Sequence, residues 1–330
     1  ATVSGMSSRH RYTLSVRQLD ADGYRHHSEA RVRGLNAVVH SRVTQAWELV
    51  TVLNLYDAPY LLNPSSLTRA DARQRPRFAR GFIVSQGASK TVRQSQGGLT
   101  LRHTSPAEVR TEVTVYGVSR TLDNAIPGAV IDLDRLAGGV RAVHSRPLGL
   151  GQLSGRWKVG LDVEVQSDDR VEFVNEGLAD PATDPADVLD AVVAGERVLD
   201  QEEDVRNVAP FAGVDVEPLP GWVVSLGGRL DRYRFETTDG FLSDGDDSGD
   251  RSLSQLSPAV AISYRWRTAS LLYATYGTAF QTPTTVELSN RPDGSGGFNP
   301  DLDPESIVSY ELGARGTAMR QHLAYDVRTL

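Results

Sequence analysis

Three stretches of this sequence carry side chains able to bind ions or move protons. In Asp20–Ala21–Asp22–Gly23–Tyr24–Arg25–His26–His27–Ser28–Glu29, two imidazoles sit among carboxylates, the donor types that hold zinc. Adjacent histidines in an extended chain point to opposite faces, so a rim loop without metal is expected. In Asp244–Gly245–Asp246–Asp247–Ser248–Gly249–Asp250, the order imitates the start of an EF-hand loop. The position that should supply a bidentate glutamate is Gln255, and strands rather than helices flank it, so a solvated acidic loop is expected. The third stretch is basic: Arg69, Arg73, Arg75, Arg77, Arg80 and Lys90. Guanidinium groups are permanently charged planar donors suited to carboxylate and catecholate oxygens. An anionic ligand is the chemistry this stretch fits, against the alternative of a merely solvated run of charge.

Covalent chemistry finds no footing. No nucleophile elbow, H-E-x-x-H or P-loop pattern occurs, and with no cysteine there is no thiol nucleophile, disulfide or iron–sulfur ligand. No enzyme and no covalently bound cofactor are expected. A net charge of −7 argues against a nucleic-acid partner, which would require a basic face.

The elements that must position these residues are strands. Trp157, Val159, Leu161, Val163 and Val165 alternate with Arg156, Lys158, Asp162, Glu164 and Gln166, and Leu256–Trp266 repeats the pattern. Counting weaker segments, this period-2 test gives about 13 strands. No apolar run approaches the roughly 18 residues of a membrane helix, and the start of the chain lacks a signal peptide's features. At 330 residues and 39% hydrophobic, the chain can still form a large domain.

Connectors alternate between short (near 43–46, 105–108, 149–154, 218–221, 266–269 and 317–322) and long (near 20–28, 57–90, 123–138, 167–202, 236–252 and 281–305). Tight turns at one end and long loops at the other are the mark of a barrel in the outer membrane. Trp47, Trp157, Trp222 and Trp266 all fall beside short connectors and in phase with the apolar faces, as an interfacial aromatic girdle requires. The expected fold is therefore all-β, an antiparallel up-and-down transmembrane barrel segment. The polar faces line a lumen in which Arg229 and Arg265 point inward. A soluble two-sheet sandwich is the rival.

Phe298–Asn299–Pro300–Asp301–Leu302–Asp303–Pro304–Glu305, followed by Tyr310–Glu311–Leu312–Gly313, resembles the N-P-x-L-x-P-E…Y-E-x-G signature of TonB-dependent outer-membrane receptors. Upstream, Tyr276–Gly277–Thr278–Ala279–Phe280–Gln281–Thr282–Pro283–Thr284, with Glu287, resembles that family's G-x-x-F-x-x-P segment. Asp57–Ala58–Pro59 with Leu67–Thr68 is similar to siderophore-receptor relatives. Phe280, Pro283, Glu287, Asn299, Pro300, Leu302, Pro304, Glu305, Tyr310, Glu311 and Gly313 are expected to act structurally, on a loop that folds back over the rim and re-enters the barrel.

The resemblance implies a receptor in the outer membrane of a Gram-negative bacterium that takes up a ferric siderophore or similar scarce iron chelate, energised by the TonB complex. Lipid and lipopolysaccharide are its further partners, and divalent ions on the acidic loops could bridge the latter. Such barrels close with 22 strands around a plug, so residues 1–330 are read as an internal barrel segment. Plug, coupling box and last strands, including the terminal aromatic that Arg328–Thr329–Leu330 lacks, would lie outside it. A porin or a barrel for a cobalamin, sugar or small cofactor is the alternative.

Overall fold

A computed structural model describes residues 1–151, 153–177, 192–267, 269–289, 291, 297–318 and 323–329. The strands are β1 (Thr2–Met6), β2 (His10–Ala21), β3 (Ala30–Arg42), β4 (Trp47–Leu62), β5 (Ser89–Thr104), β6 (Arg110–Ile126) and β7 (Ala129–Leu150). They continue as β8 (Leu153–Asn175), β9 (Ala194–Leu219), β10 (Trp222–Asp239), β11 (Gly249–Arg267), β12 (Ser270–Gln281), β13 (Glu305–Ala318) and β14 (Leu323–Thr329). Among the described residues every strand pairs antiparallel with its chain neighbours, giving one 14-stranded up-and-down sheet with β1 and β14 at its edges.

Burial on this sheet is inverted relative to a protein that faces water. Val115, Val159, Val165 and Leu226 are exposed, as are Leu14, Leu53, Leu99 and Ile262, whereas Asp162, Asp168, Glu203, Asn207 and Asp231 are buried. The contrast is widest on β8, where Val165 is 52% exposed and Asp168 0%. No second sheet covers the apolar face among the described residues, which removes the sandwich. An outward apolar face satisfies its side chains in lipid, and there an arginine at midplane costs about 2–4 kcal/mol.

All four tryptophans lie at the short-turn end. Trp47 and Trp222 begin β4 and β10, Trp157 lies just inside β8, and Trp266 is next to last in β11. Ring neighbours widen the band: Trp47 lies 4.7 Å from His103, Trp157 5.5 Å from His144 and Trp222 4.6 Å from Tyr264.

Four glycines face aromatic rings directly across the strand pair: Gly5 and Tyr12, Gly139 and Tyr116, Gly160 and Phe211, Gly313 and Tyr273. A Cβ on Gly313 would lie 2.4 Å from the Tyr273 ring, and one on Gly160 2.2 Å from the Phe211 ring. Each ring covers backbone that its glycine leaves bare.

The long-loop end departs from strict alternation. No long connector spans 123–138: β6 and β7 continue through it and join at Pro127–Gly128, with Gly128 at φ 91°. The basic connector is also shorter than 57–90, because Asp57 lies within β4 and Lys90 within β5. It contains two short helices, α1 (Arg69–Gln74) and α2 (Gly81–Ser85). Thr68 caps α1 by accepting the Asp71 amide at 3.1 Å. Part of the predicted 167–202 and 281–305 loops, and of the 317–322 turn, lies outside the described residues, as does Leu330.

Candidate functional site: two loops and a charged wall

The inner face of β7–β10 is a wall of paired charges. Arg135 donates to Asp168 through Nε at 2.7 Å and Nη2 at 2.5 Å. Arg229 donates from Nε to both Asp231 oxygens at 3.0 Å and from Nη1 to Asp162. Asn207 donates to Glu164 at 3.2 Å and Asp231 at 3.3 Å, and the Tyr116 hydroxyl donates to Glu164 at 2.7 Å. Buried charge is tolerated only when paired and hydrogen-bonded, which accounts for arginines and carboxylates on neighbouring strands at the same height. Arg265 lies on the same inner face, one residue from the outward Trp266.

The described parts of the loop 282–304 are seated on this wall. Phe298 and Leu288 bury with Phe235 of β10, and Leu302, Tyr233, Val205 and Leu253 pack around them. Phe280, half-buried at the end of β12, meets the Tyr233 ring edge-on at 6.2 Å. Pro283 is buried just before α3 (Thr285–Leu288), whose capping box joins Thr284 and Glu287. The Glu287 carboxyl stays below its usual range because the Thr284 amide and then its hydroxyl donate to it.

Asn299 is buried, its amide donating to the Leu288 carbonyl at 2.6 Å and its Oδ1 accepting from Asp301 at 3.1 Å. Arg251 donates to the Pro300 carbonyl and to Asp303, the latter at 2.8 Å. Pro304 precedes β13, which opens with an exposed Glu305 paired in register to Gln281. Tyr310 points outward, 66% exposed and 5.1 Å from Tyr276. Glu311 accepts the Tyr273 hydroxyl at 2.5 Å, and that ring lies over Gly313. The Y-E-x-G part of the signature thus supplies two parts of one device, the inward carboxylate of Glu311 and the bare backbone of Gly313, across which Tyr273 of β12 lies.

The loop 63–88 is fastened differently. Arg25 donates to the Phe78 carbonyl from Nε at 3.2 Å and Nη2 at 2.8 Å, to Pro64 at 3.0 Å and to Ser65. The buried His27 ring donates from Nε2 to the Ala88 carbonyl at 2.8 Å, and burial pushes its pKa below the ordinary histidine value. The His26 ring stays exposed, so the two imidazoles part company. Gln86 crosses to the β6–β8 tips, donating to the Asn175 carbonyl at 3.1 Å and accepting the Gly128 amide at 2.8 Å.

The six basic residues of the third stretch do not act alike. Arg75 pairs with Asp71 and lies 4.0 Å from the Phe78 ring centre, while Arg77 donates to the Tyr24 carbonyl at 3.0 Å. Arg80 is half-buried and helps hold the Asp71 carboxyl low, a shift set first by its hydrogen bond from Arg75. Arg69, Arg73 and Lys90 are exposed, with no side-chain hydrogen bond or ion pair to the described residues. Sequence reasoning missed Arg25 and Gln86, whose partners are backbone groups distant in sequence. The Asp71–Arg75 pair had a signal in its i,i+4 spacing.

In the acidic loop, the Asp239 carboxylate accepts the amides of Phe241 at 2.8 Å and Asp247 at 3.1 Å, and Asp246 accepts that of Ser248 at 3.0 Å. These carboxylates serve turn geometry, and among the described residues no three His, Asp or Glu converge as metal ligands would.

The sequence matches the family described as TonB dependent receptor-like, beta-barrel, over residues 23–327. Similar solved structures include the ferric citrate transporter FecA in its unliganded form, with TM-score 0.79 and 14% identity, covering 96% of this chain and 45% of that one. The ferric-catecholate import receptor Fiu of E. coli K12 aligns with TM-score 0.74 and 12% identity over 99% of this chain and 55% of its own. The siderophore receptor PiuA of Acinetobacter baumannii aligns with TM-score 0.72 and 12% identity, over 99% and 54%. The chain thus spans about half the length of the receptors it matches. With its inside-out sheet, its aromatic girdle and a motif loop seated on the lumen wall, this chain belongs to the TonB-dependent receptor β-barrel family of the Gram-negative outer membrane.

Proposed function

We propose that the chain forms wall and mouth of an outer-membrane receptor that takes up a scarce ferric chelate, energised by TonB acting through a plug domain. The observation that carries this reading is the sheet itself, apolar outward and charged inward, with two built loops at one end. Ferric citrate and ferric catecholate name the cargo of two similar receptors, and both kinds of chelate present anionic oxygens. Arg69 and Arg73, exposed and without a side-chain partner among the described residues, are the cations of the basic loop that would meet such oxygens, with Arg75, Arg77, Arg80 and Lys90 completing the basic stretch. No covalent step is involved: capture, then passage, is the whole reaction.

In the complete receptor, Arg69→Ala with Arg73→Ala should weaken binding of an anionic ferric chelate, by about 1.5–3 kcal/mol for each charged hydrogen bond lost, while insertion is unaffected. Arg75 and Arg77 are left intact because they shape the loop. Uptake of radiolabelled iron and equilibrium binding at low ionic strength, where charge effects are largest, read the result. Unchanged binding there moves the ligand site off this loop.

A further inference from the structure

One carboxylate in the network on the inner face of β7–β10 has no cation. Asp168 is held by Arg135, and Asp162 and Asp231 share Arg229. Glu164, half-buried on β8 between Asp162 and Asp168, meets only neutral donors: the Tyr116 hydroxyl at 2.7 Å and the Asn207 amide at 3.2 Å. It also lines a hollow of about 220 Å³ with Tyr116, Tyr233, Asn207, Gln166 and Gly138. Asn207 is 2% exposed, and its amide nitrogen donates to Glu164 and Asp231, which leaves its Oδ1 with no donor. Gln166 turns its own amide nitrogen to Asp168 at 3.1 Å. No arginine or lysine among the described residues lies over the ring of Tyr116 or Tyr233.

The charges on the facing strands leave the hollow negative. Asp162, Glu164 and Asp231 are set against Arg229 and Arg141, the latter 3.6 Å from Asp162. Farther along, Asp168, Glu172 and Glu203 share Arg135 and Arg170. Arg120 lies four residues along β6 from Tyr116 and Lys158 six along β8 from Glu164, which is about 13 and 20 Å at about 3.3 Å per residue. Neither forms an ion pair with Glu164. A carboxylate, an unclaimed amide oxygen and two aromatic rings are the surroundings that a cation prefers.

We infer that Glu164, Asn207, Tyr116 and Tyr233 form a receiving site for one organic cation, a primary ammonium or guanidinium group on a solute in the lumen, an inference that rests on the transport reading above. Where this wall needs permanent neutralisation it uses its own arginines. Glu164 is instead kept hydrogen-bonded by neutral neighbours while its charge stays uncompensated, so the site is satisfied when empty and still attracts a cation. Its volume admits the end of one side arm, not a whole chelate. The cargo that suits both regions therefore has an anionic iron-binding head for the basic loop and a positively charged arm for the wall.

The test is photoaffinity labelling of the intact receptor, using an alkyl diazirine that bears a primary ammonium and its N-acetylated, uncharged counterpart, with labelled peptides mapped by mass spectrometry. Peptides containing Tyr116, Glu164, Asn207 and Tyr233 should take up the charged probe about tenfold more than the acetylated one, the margin expected of a charge-assisted contact. Glu164→Gln should abolish that preference. Glu236→Gln, an exposed carboxylate on the outer face of β10, should leave it unchanged, and Tyr116→Phe, which keeps the ring and frees a Glu164 oxygen, should keep it at or above the native value. Equal labelling by the two probes overturns the inference, as does a preference that survives Glu164→Gln. Labelling of these peptides by neither probe overturns it too, since a cation of the receptor itself would then fill the site. Neither probe contains iron, so failure here leaves the reading of Arg69 and Arg73 standing.

Discussion

The loops 63–88 and 282–304 rise from the same end of the sheet and are fastened by opposite means. The second is driven onto the wall by apolar burial, with Phe298 4% and Leu288 1% exposed against Phe235. The first rests on polar contacts: Arg25 gathers the carbonyls of Pro64, Ser65 and Phe78, His27 holds Ala88, and Gln86 reaches Asn175. Hydrophobic anchoring is non-directional and leaves a compositional trace, whereas carbonyl-directed hydrogen bonds recruit whichever backbone passes nearby. That is why the second loop shows as a motif and the first only as a run of charge.

The largest effect expected from this contrast is on the second loop. Phe298→Ala removes the ring at the centre of its anchor and should cost about 3–5 kcal/mol of local stability. Hydrogen exchange across 282–304 in the intact receptor would rise, with 63–88 unaffected; equal loosening of both loops would show that they share one anchor.

Arg25→Ala is the converse. Losing a charged hub that serves three carbonyls should cost about 1.5–3 kcal/mol, releasing 63–88 while 282–304 keeps its protection. Protease cleavage between Ser66 and Arg80 is the direct readout.

The smallest effect is set by pH. Burial lowers the His27 pKa in the folded loop, against the upward pull of the Ala88 carbonyl and of Glu29. The folded state thus binds fewer protons than the unfolded one, and stability rises with pH. The neutral ring's contribution is full above the ordinary histidine value of about 6.5 and declines as pH falls from there toward the folded value. Acidification from about pH 7.5 to 5.5 should speed exchange in 63–88. The loop 282–304 contains no histidine and should not respond, so a matching response there would assign the effect to something other than His27.

How far the fold could be read from sequence follows the solvent. Between the girdle and Asp57, one face of each strand meets lipid and the other a charged lumen, and alternation such as Trp157–Val165 is unmistakable. Higher up both faces meet water, so the contrast vanishes while the pairing continues. Asp123 opposite Asp132 and Thr121 opposite Asp134 are regular strand pairs whose outward residues are polar, with the Leu122–Leu133 pair between them on the other face, and that stretch reads as a loop. The short Thr2–Met6 and Leu323–Thr329 edges are weak for a related reason, having too few residues to establish a period. In the candidate site, the signature residues were legible as a motif. The division of labour among the arginines was not, because it depends on where Tyr24 and Phe78 come to lie.

The length of β7, β8 and β9, at 22, 23 and 26 residues, has a consequence for anything that approaches from outside. A strand needs only about 9–11 residues to cross the bilayer, so the excess stands above it as a hydrogen-bonded parapet. Its carboxylates and guanidiniums are held at fixed spacings before a visitor arrives. A solute that fits those spacings loses its own freedom on docking but does not have to freeze the host's, and one that does not fit meets a surface that will not bend to accommodate it.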